Sequence, residues 1–114
     1  MMHEYSLVQS LMERIAQEAA ARHAVAVHRV RLTIGELSGV EPELLEHAFA
    51  IVREGTLCAD AALDIFRVPA RWGCPECGAP IAPGQVLQCG ACGSPAHLAE
   101  GDEIVLDQLE LEVP

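Results

Sequence analysis

Near the start of the chain, apolar residues recur every three or four positions, the spacing of an amphipathic helix. The stripe consists of Leu7, Leu11, Ile15 and Ala19, flanked by Val8, Met12 and Ala16. Ser6, with Gln9 three residues later, makes a capping-box pattern in front of this stripe. We therefore expect a short strand over residues 2–5, followed by a helix that begins at Ser6 and ends near Arg22 and His23.

Three later segments have the alternating apolar pattern of strands. Their apolar positions are Val25, Val27, Val30, Leu32 and Ile34 in the first, Leu63, Ile65, Phe66 and Val68 in the second, and Ile104, Leu106, Leu109, Leu111 and Val113 in the third. The first segment changes parity near His28, which predicts a bulge or an irregular strand entry, and the third breaks at Asp107.

A second helix is predicted between the first two strands. Pro42 suits its first turn, Glu41 its cap, and Gly55 the left-handed position that ends it. The predicted fold class is α+β: two helices cover one face of a small β-sheet, and the last strand returns to that sheet.

Composition limits the classes of function. The chain has 114 residues, of which 51% are hydrophobic, and a mean hydropathy of +0.23, so it can fold around a core. Seventeen acidic and seven basic residues give a net charge of −10. Because nucleic-acid binding needs clustered cations, we expect no nucleic-acid partner; the acidity suits metal cations or a basic protein surface. We also expect no membrane partner and a cytoplasmic location with reduced thiols.

Two CxxC motifs, at residues 74–77 and 89–92, carry the strongest chemical signal. Their cysteines are Cys74, Cys77, Cys89 and Cys92. Two such turns facing each other make the thiolate tetrahedron that Zn²⁺ accepts, and Gly78 and Gly93 follow where the chain must turn back. Four cysteines close the metal's shell, so we expect a structural zinc. Free or disulfide-bonded cysteines are the alternative.

Few large aliphatic residues lie around these motifs, so the segment cannot bury a useful core without metal. Zinc binding can supply about 10–16 kcal/mol. We expect residues 73–96 to form an inserted zinc-ribbon-like domain with four cysteine ligands, and residues 1–72 plus 97–114 to form the α+β domain. Cys58 is predicted to be a semi-buried thiol rather than a ligand.

A histidine in third position can form a chelate if the terminal amine is free. The amine, two backbone amides and the His3 imidazole can surround one ion in a square plane, the geometry of Ni(II) or Cu(II). By position alone His3 also fits a frayed chain end, and Glu4 an ordinary exposed carboxylate.

Several segments together resemble the HypA/HybF family of hydrogenase maturation proteins. They are MHEYSL at residues 2–7, IGELS at 34–38, the tandem CxxC motifs and GDEI at 101–104. The resemblance covers essentially the whole chain. It implies a nickel metallochaperone, not an enzyme, with a structural zinc and a nickel site at the N-terminus. It also implies two partners, the GTPase HypB and the large subunit of [NiFe]-hydrogenase.

The resemblance carries roles over to single residues. His3 matches the family's nickel histidine and Glu4 the acid beside it, while Glu41 matches a position where an acid near nickel can occur. The zinc ligands it implies are Cys74, Cys77, Cys89 and Cys92.

Two departures from the family pattern affect the metal sites. The family begins Met-His-Glu, whereas Met1 here moves the histidine to third place. Either translation starts at Met2, or Met1 is a cloning or annotation residue, or the site uses one more backbone amide. The histidines that some relatives carry beside the CxxC motifs are replaced by Gly78-Ala79 and Gly93-Ser94.

Two other classes of protein remain as alternatives. A zinc-ribbon adaptor in transcription or RNA handling would need a basic or aromatic face, which the charge of −10 and the single Trp argue against. A zinc hydrolase or a CxxC oxidoreductase would need an open metal shell or an activated thiolate.

Overall fold

The structure is a computed structural model that describes residues 2–82, 84 and 86–114, with side chains from residue 4 onward. The elements are α1 (Met2–Ala21), β1 (Ala26–Gly35), α2 (Pro42–Val52), β2 (Ala62–Val68), β3 (Arg71–Gly73), β4 (Pro80–Ile81), β5 (His97–Glu100) and β6 (Ile104–Glu112). Within the described residues these strands form two three-stranded sheets, in the orders β2-β1-β6 and β4-β3-β5.

The first sheet has β1 at its centre. It pairs parallel with β2, with Val30 opposite Leu63, and antiparallel with β6, with Val30 opposite Leu109. The last strand therefore returns to the first sheet, as predicted. The register shifts between Val27 and Arg29, and again beside Leu32 where Asp107 is skipped, so both predicted irregularities of the apolar pattern are confirmed.

Helices α1 and α2 cover one face of this sheet. Alternate residues of β1 meet the buried stripes of both helices, because successive side chains of a strand point to opposite faces. The buried core comprises Val8, Ile15, Val27, Val30, Leu32, Ile34, Val40, Leu45, Ala48, Phe49, Cys58 and Ala61. The opposite face is charged, with Arg29 donating to Asp64 at 2.6 Å. The predicted α+β class with two helices is confirmed.

The predicted start of the first helix was wrong. No strand precedes α1 in the described residues; the helix already begins at Met2, and Ser6 is an exposed residue within it. The buried face reaches one turn further back than the apolar pattern shows, because Glu4 lies four residues before Val8 and is only 3% exposed. A carboxylate in the first turn is also favoured by the helix dipole.

The ends of both helices follow standard turn chemistry. Helix α1 ends at Ala21, and His23 adopts φ 55 while the Ala24 N–H donates to Ala19 at 2.9 Å. Helix α2 has Pro42 in its first turn and Glu41 as its N-cap residue, as predicted. Gly55 has the expected left-handed φ of 75.

The second sheet carries both CxxC motifs. Its central strand β3 pairs with β4 and β5, so that Trp72 lies between Ile81 and Leu98. Residues 69–70 and 101–103 join it to the first sheet. Neither helix of the described chain combines the length and the apolar character that crossing a bilayer requires.

Candidate functional site

The two CxxC motifs form two separate turns of the same type. The Gly78 N–H donates to the Cys74 carbonyl at 2.9 Å, and the Gly93 N–H donates to the Cys89 carbonyl at 2.9 Å. Both glycines have positive φ, 74 and 76, which side chains disfavour. The sequence thus builds two equivalent turns, each of which presents its two thiols on one side.

The two turns bring the four thiols together. The Sγ atoms of Cys74 and Cys92 are 3.3 Å apart, those of Cys77 and Cys89 are 3.6 Å apart, and all four lie within 4.8 Å of one another. A tetrahedron with Zn–S bonds of about 2.3 Å has S–S edges of about 3.8 Å. The cluster therefore has the donor set and the size to hold a structural metal such as zinc. Four protein ligands leave no coordination position for a catalytic water.

The thiols of the cluster differ in acidity. Hydrogen bonding to the side chain and backbone of Ser94 lowers the pKa of Cys92 to about 6. Backbone hydrogen bonds from Cys92 and Ala91 lower the pKa of Cys89. At Cys77 the backbone bond from Ala79 lowers the pKa, but the neighbouring thiols of Cys74 and Cys89 and burial outweigh it and raise it to about 11.

This spread means that a metal must displace the more tightly held protons of the cluster. Because the ligands bind as thiolates, metal binding releases protons, and acid opposes it.

The fifth cysteine lies apart from this cluster. Cys58 is 1% exposed in the core of the first sheet, so it is more deeply buried than predicted. Burial raises the pKa of its thiol, against the lowering effect of Arg53.

The second candidate site is the N-terminal end of α1. Glu4 is 3% exposed, so the expectation of an exposed carboxylate was wrong. Its Oε2 accepts a hydrogen bond from the Glu41 N–H at 3.3 Å. The Glu41 side chain is exposed and forms no cap hydrogen bond. The backbone of His3 belongs to α1, but its side chain lies outside the described residues.

The apolar pattern of the sequence does not predict the contact between Glu4 and Glu41. One signal could have found it: Glu4 precedes the buried Val8 by four residues and so continues the buried face of α1. The partner could not be found this way, because 37 residues separate the two positions.

The remaining described histidines belong to neither site. His28 contacts Glu112 at 2.7 Å and His97 contacts the Gly73 carbonyl at 3.1 Å, both on exposed surface. Apart from the four cysteines, no group of three His, Cys, Asp or Glu donors comes close enough in the described part of the chain to share an ion.

Known sequences resemble this chain over nearly its whole length. Residues 2–111 match a family model described as HypA, hydrogenase/urease nickel incorporation, metallochaperone. The hydrogenase maturation factor HypA of Acidithiobacillus ferrooxidans is 38% identical over 113 residues, which cover 97% of this chain and 100% of the relative. The corresponding factor of Wolinella succinogenes is 39% identical over 114 residues, covering 97% and 96% of the two chains.

Solved structures give the same result. The solution structure of the nickel metallochaperone HypA from Helicobacter pylori superposes with a TM-score of 0.71 and 31% identity, covering 97% of this chain and 98% of that one. A second HypA solution structure gives a TM-score of 0.79 and 32% identity over 100% and 99% of the chains. Nothing in these comparisons supports a zinc-ribbon adaptor. The chain belongs to the HypA family of nickel metallochaperones for hydrogenase maturation.

Proposed function

We propose that this chain holds Ni²⁺ at its N-terminus and delivers it to a hydrogenase, while the four cysteines retain Zn²⁺ as a structural ion. The observation that carries this division is the closed cysteine cluster. Four thiols within 4.8 Å form a complete shell, which suits a resident metal rather than one that must leave. The exchangeable ion then needs a different site. The N-terminal end of α1 can be that site, because α1 packs on the first sheet, away from the sheet that carries the cysteines.

The proposed nickel donors are the His3 imidazole, the His3 amide and the terminal amine. With Met1 present, the Met2 amide completes a plane of four nitrogens. In a chain that starts at Met2, Glu4 or Glu41 supplies the fourth donor. The first N–H groups of a helix have no carbonyl partner within it, so their nitrogens can bind metal without loss of a helical hydrogen bond.

Glu4 supports this arrangement by its position. Its carboxylate is anchored to the Glu41 N–H, so any unwinding that a planar chelate demands can be confined to the residues before Glu4. We propose that Glu4 acts chiefly as this anchor. A chelate on a short, terminal segment can be taken apart by a partner that offers better ligands.

The cysteine cluster is proposed to bind zinc through Cys74, Cys77, Cys89 and Cys92. Bound zinc would supply folding free energy to a segment with few core residues. The segment at residues 73–96 would then act as a separate domain that presents a docking surface to partners.

The proposed partners are a HypB-type GTPase and the [NiFe]-hydrogenase large subunit. The net charge of −10 favours protein partners with basic surfaces over nucleic acids. We propose that the chain transports metal without catalysing a reaction, and that it works in the cytoplasm, where cysteines stay reduced for metal binding.

Titration with Ni²⁺ tests the proposed site. The zinc-loaded protein, with and without an N-terminal tag, is compared with His3→Ala and with the control His47→Ala, which removes an exposed histidine of α2. We expect nickel affinity to be lost in the tagged protein and in His3→Ala and to be kept in His47→Ala. Affinity should also weaken in acid, because an amide must lose its proton. Unchanged affinity in the tagged protein and His3→Ala would refute the N-terminal site.

A further inference from the structure

Two short crossings join the two sheets. Residues 69–70 connect β2 to β3, and residues 101–103 connect β5 to β6. Residues 35–38, here called the corner, run from the last residue of β1 into the turn after it, at the point where both crossings leave the first sheet. The IGELS segment thus occupies the junction, although none of the proposed metal ligands lies in it.

The backbone of the corner bonds to the strand end and crossing on either side. Three successive N–H groups donate alternately to the β6 side and to the β2 side. The bonds run from Gly35 to the Glu103 carbonyl (2.8 Å), from Glu36 to the Val68 carbonyl (2.8 Å) and from Leu37 to the Gly101 carbonyl (2.7 Å). The corner therefore extends the pairing of β1 by one step beyond the sheet, up to the crossings themselves.

The three segments are also in direct backbone contact. A Cβ atom on Gly35 would overlap the carbonyl group of Gly101. A Cβ atom on Gly101, which has φ 108, would lie 2.5 Å from the Ala70 Cα. Since such contacts leave no room for a side chain, glycine at both positions lets the crossings approach each other and the corner.

One side chain of the corner reaches a crossing. Oε1 of Glu36 accepts a hydrogen bond from the Ala70 N–H at 2.8 Å. Glu36 is itself exposed, so its side chain can be changed without disturbing the core. On the other side, the Val40 N–H donates to the Ser38 hydroxyl at 3.3 Å, next to the Glu41 cap of α2.

We propose that the corner is a clamp that fixes the orientation of the cysteine-bearing sheet relative to the helix-covered sheet, with Glu36 as its positioning residue. Both crossings are held, so the two sheets move as one body. A partner protein that touches both sheets then meets them in a single geometry. The fixed orientation of the two sheets does not depend on which atoms hold nickel. Only its role in nickel delivery rests on the proposed function.

Nuclear magnetic resonance of the zinc-loaded full chain tests the clamp. Residual dipolar couplings of the wild type should fit one alignment tensor for both sheets. Glu36→Ala keeps the three backbone hydrogen bonds of the corner. It should therefore loosen the junction, so that the tensors fitted separately to the two sheets differ measurably, and it should raise the exchange rate of the Ala70 amide by about tenfold, the effect of one charge-assisted hydrogen bond. Glu36→Gln should restore both, because its amide oxygen can accept the same bond. Glu103→Ala, whose side chain makes no described hydrogen bond, is the control and should match the wild type.

A common tensor in Glu36→Ala, or a Glu36→Gln protein that behaves like Glu36→Ala, would overturn the clamp. The second readout is hydrogenase activity in a host without its own HypA: Glu36→Ala should lower it and Glu36→Gln restore it, with Ni²⁺ affinity unchanged in both. If the wild type itself bound no Ni²⁺, the proposed function would be wrong. The residual dipolar couplings would still show whether the two sheets keep a fixed relative orientation.

Discussion

Glu4 links the two helices through a single carboxylate. It lies in the first turn of α1, and its Oε2 accepts the N–H of Glu41, the N-cap residue of α2. The Glu41 side chain forms no cap bond of its own, so a residue from the other helix takes part in capping α2. At the residue scale, this contact ties the first turn of α1, beside the proposed nickel site, to the start of α2.

Removing the Glu4 carboxylate should therefore cost stability. Glu4→Ala leaves the Glu41 N–H without its acceptor, and we expect the free energy of unfolding in urea to fall by about 1–3 kcal/mol. Glu4→Gln should lose less, because its amide oxygen can accept the same bond. Glu43→Ala, an exposed carboxylate in the first turn of α2, is the control and should stay within about 0.5 kcal/mol. Equal losses in Glu4→Ala and Glu43→Ala would contradict the anchoring role.

Cys58 gives a prediction about alkaline pH. Burial raises the pKa of its thiol above the ordinary 9.0. The unfolded chain then loses this proton at lower pH than the folded chain, so the folded state binds more protons and stability falls as pH rises above about 9. With zinc bound, the decrease in unfolding free energy should be shallower in Cys58→Ala. An identical pH slope in the two proteins would argue against a buried, neutral thiol.

At the scale of elements, β1 and the corner after it organise the molecule. Strand β1 pairs with both neighbours of the first sheet, and Gly35 ends it in contact with the crossing to the second sheet. A side chain at Gly35 has no space, whereas one at Gly39 meets open space and is disfavoured only by the φ of 82.

Replacement by alanine should lower the unfolding free energy by different amounts at the two glycines. Gly39→Ala should lower the unfolding free energy by about 1–2 kcal/mol, the cost of a left-handed conformation. Gly35→Ala should lower it by more than this, because its Cβ forces the crossing away from the corner. Thermal unfolding of the two variants measures the difference. A smaller loss in Gly35→Ala than in Gly39→Ala would show that the crossing is not packed against β1.

Local chemistry explains which elements the sequence predicted. The parity change at His28 marked the real register shift, and Pro42 marked the real start of α2, because bulges and caps depend on neighbouring residues. Gly55 has the predicted left-handed φ but lies two residues beyond Arg53, the C-cap of α2. The CxxC spacing likewise predicted the thiol cluster.

Tertiary contacts explain what the sequence did not predict. Glu4 is polar, so the apolar stripe does not extend the helix to the first turn of α1. Its contact with the Glu41 N–H joins residues 37 positions apart, which only the fold brings together. The small second sheet has strands of two to four residues, too short to show a periodic pattern. Its pairing is set by the turns and crossings around it.

At the scale of the whole molecule, two sheets with different sources of stability are joined in one chain. The first buries an apolar core between its β-sheet and two helices. The second contains the four clustered thiols, two of them exposed, and exposed Val86 and Leu87 lie in the loop that follows β4. We therefore expect the second sheet to depend on metal far more than the first.

Zinc removal should unfold the second sheet and leave the first sheet folded. The purified protein should hold about one Zn²⁺ per chain, and Cys92→Ala or a strong chelator should unfold residues 73–96 while the helices persist. Because the thiols must be deprotonated to bind, zinc should also be released as the solution is acidified. Metal analysis and amide exchange measure both effects. A zinc-free protein with residues 73–96 fully protected from exchange would contradict this part of the account.

Nickel delivery by the N-terminus is tested most directly by the nickel content of a hydrogenase large subunit matured in a host that lacks its own HypA. The wild-type chain should restore nickel to the subunit, whereas His3→Ala, expressed at the same level and with its zinc in place, should leave it empty. His47→Ala should behave like the wild type. A large subunit filled equally well by His3→Ala and by the wild type would contradict the account.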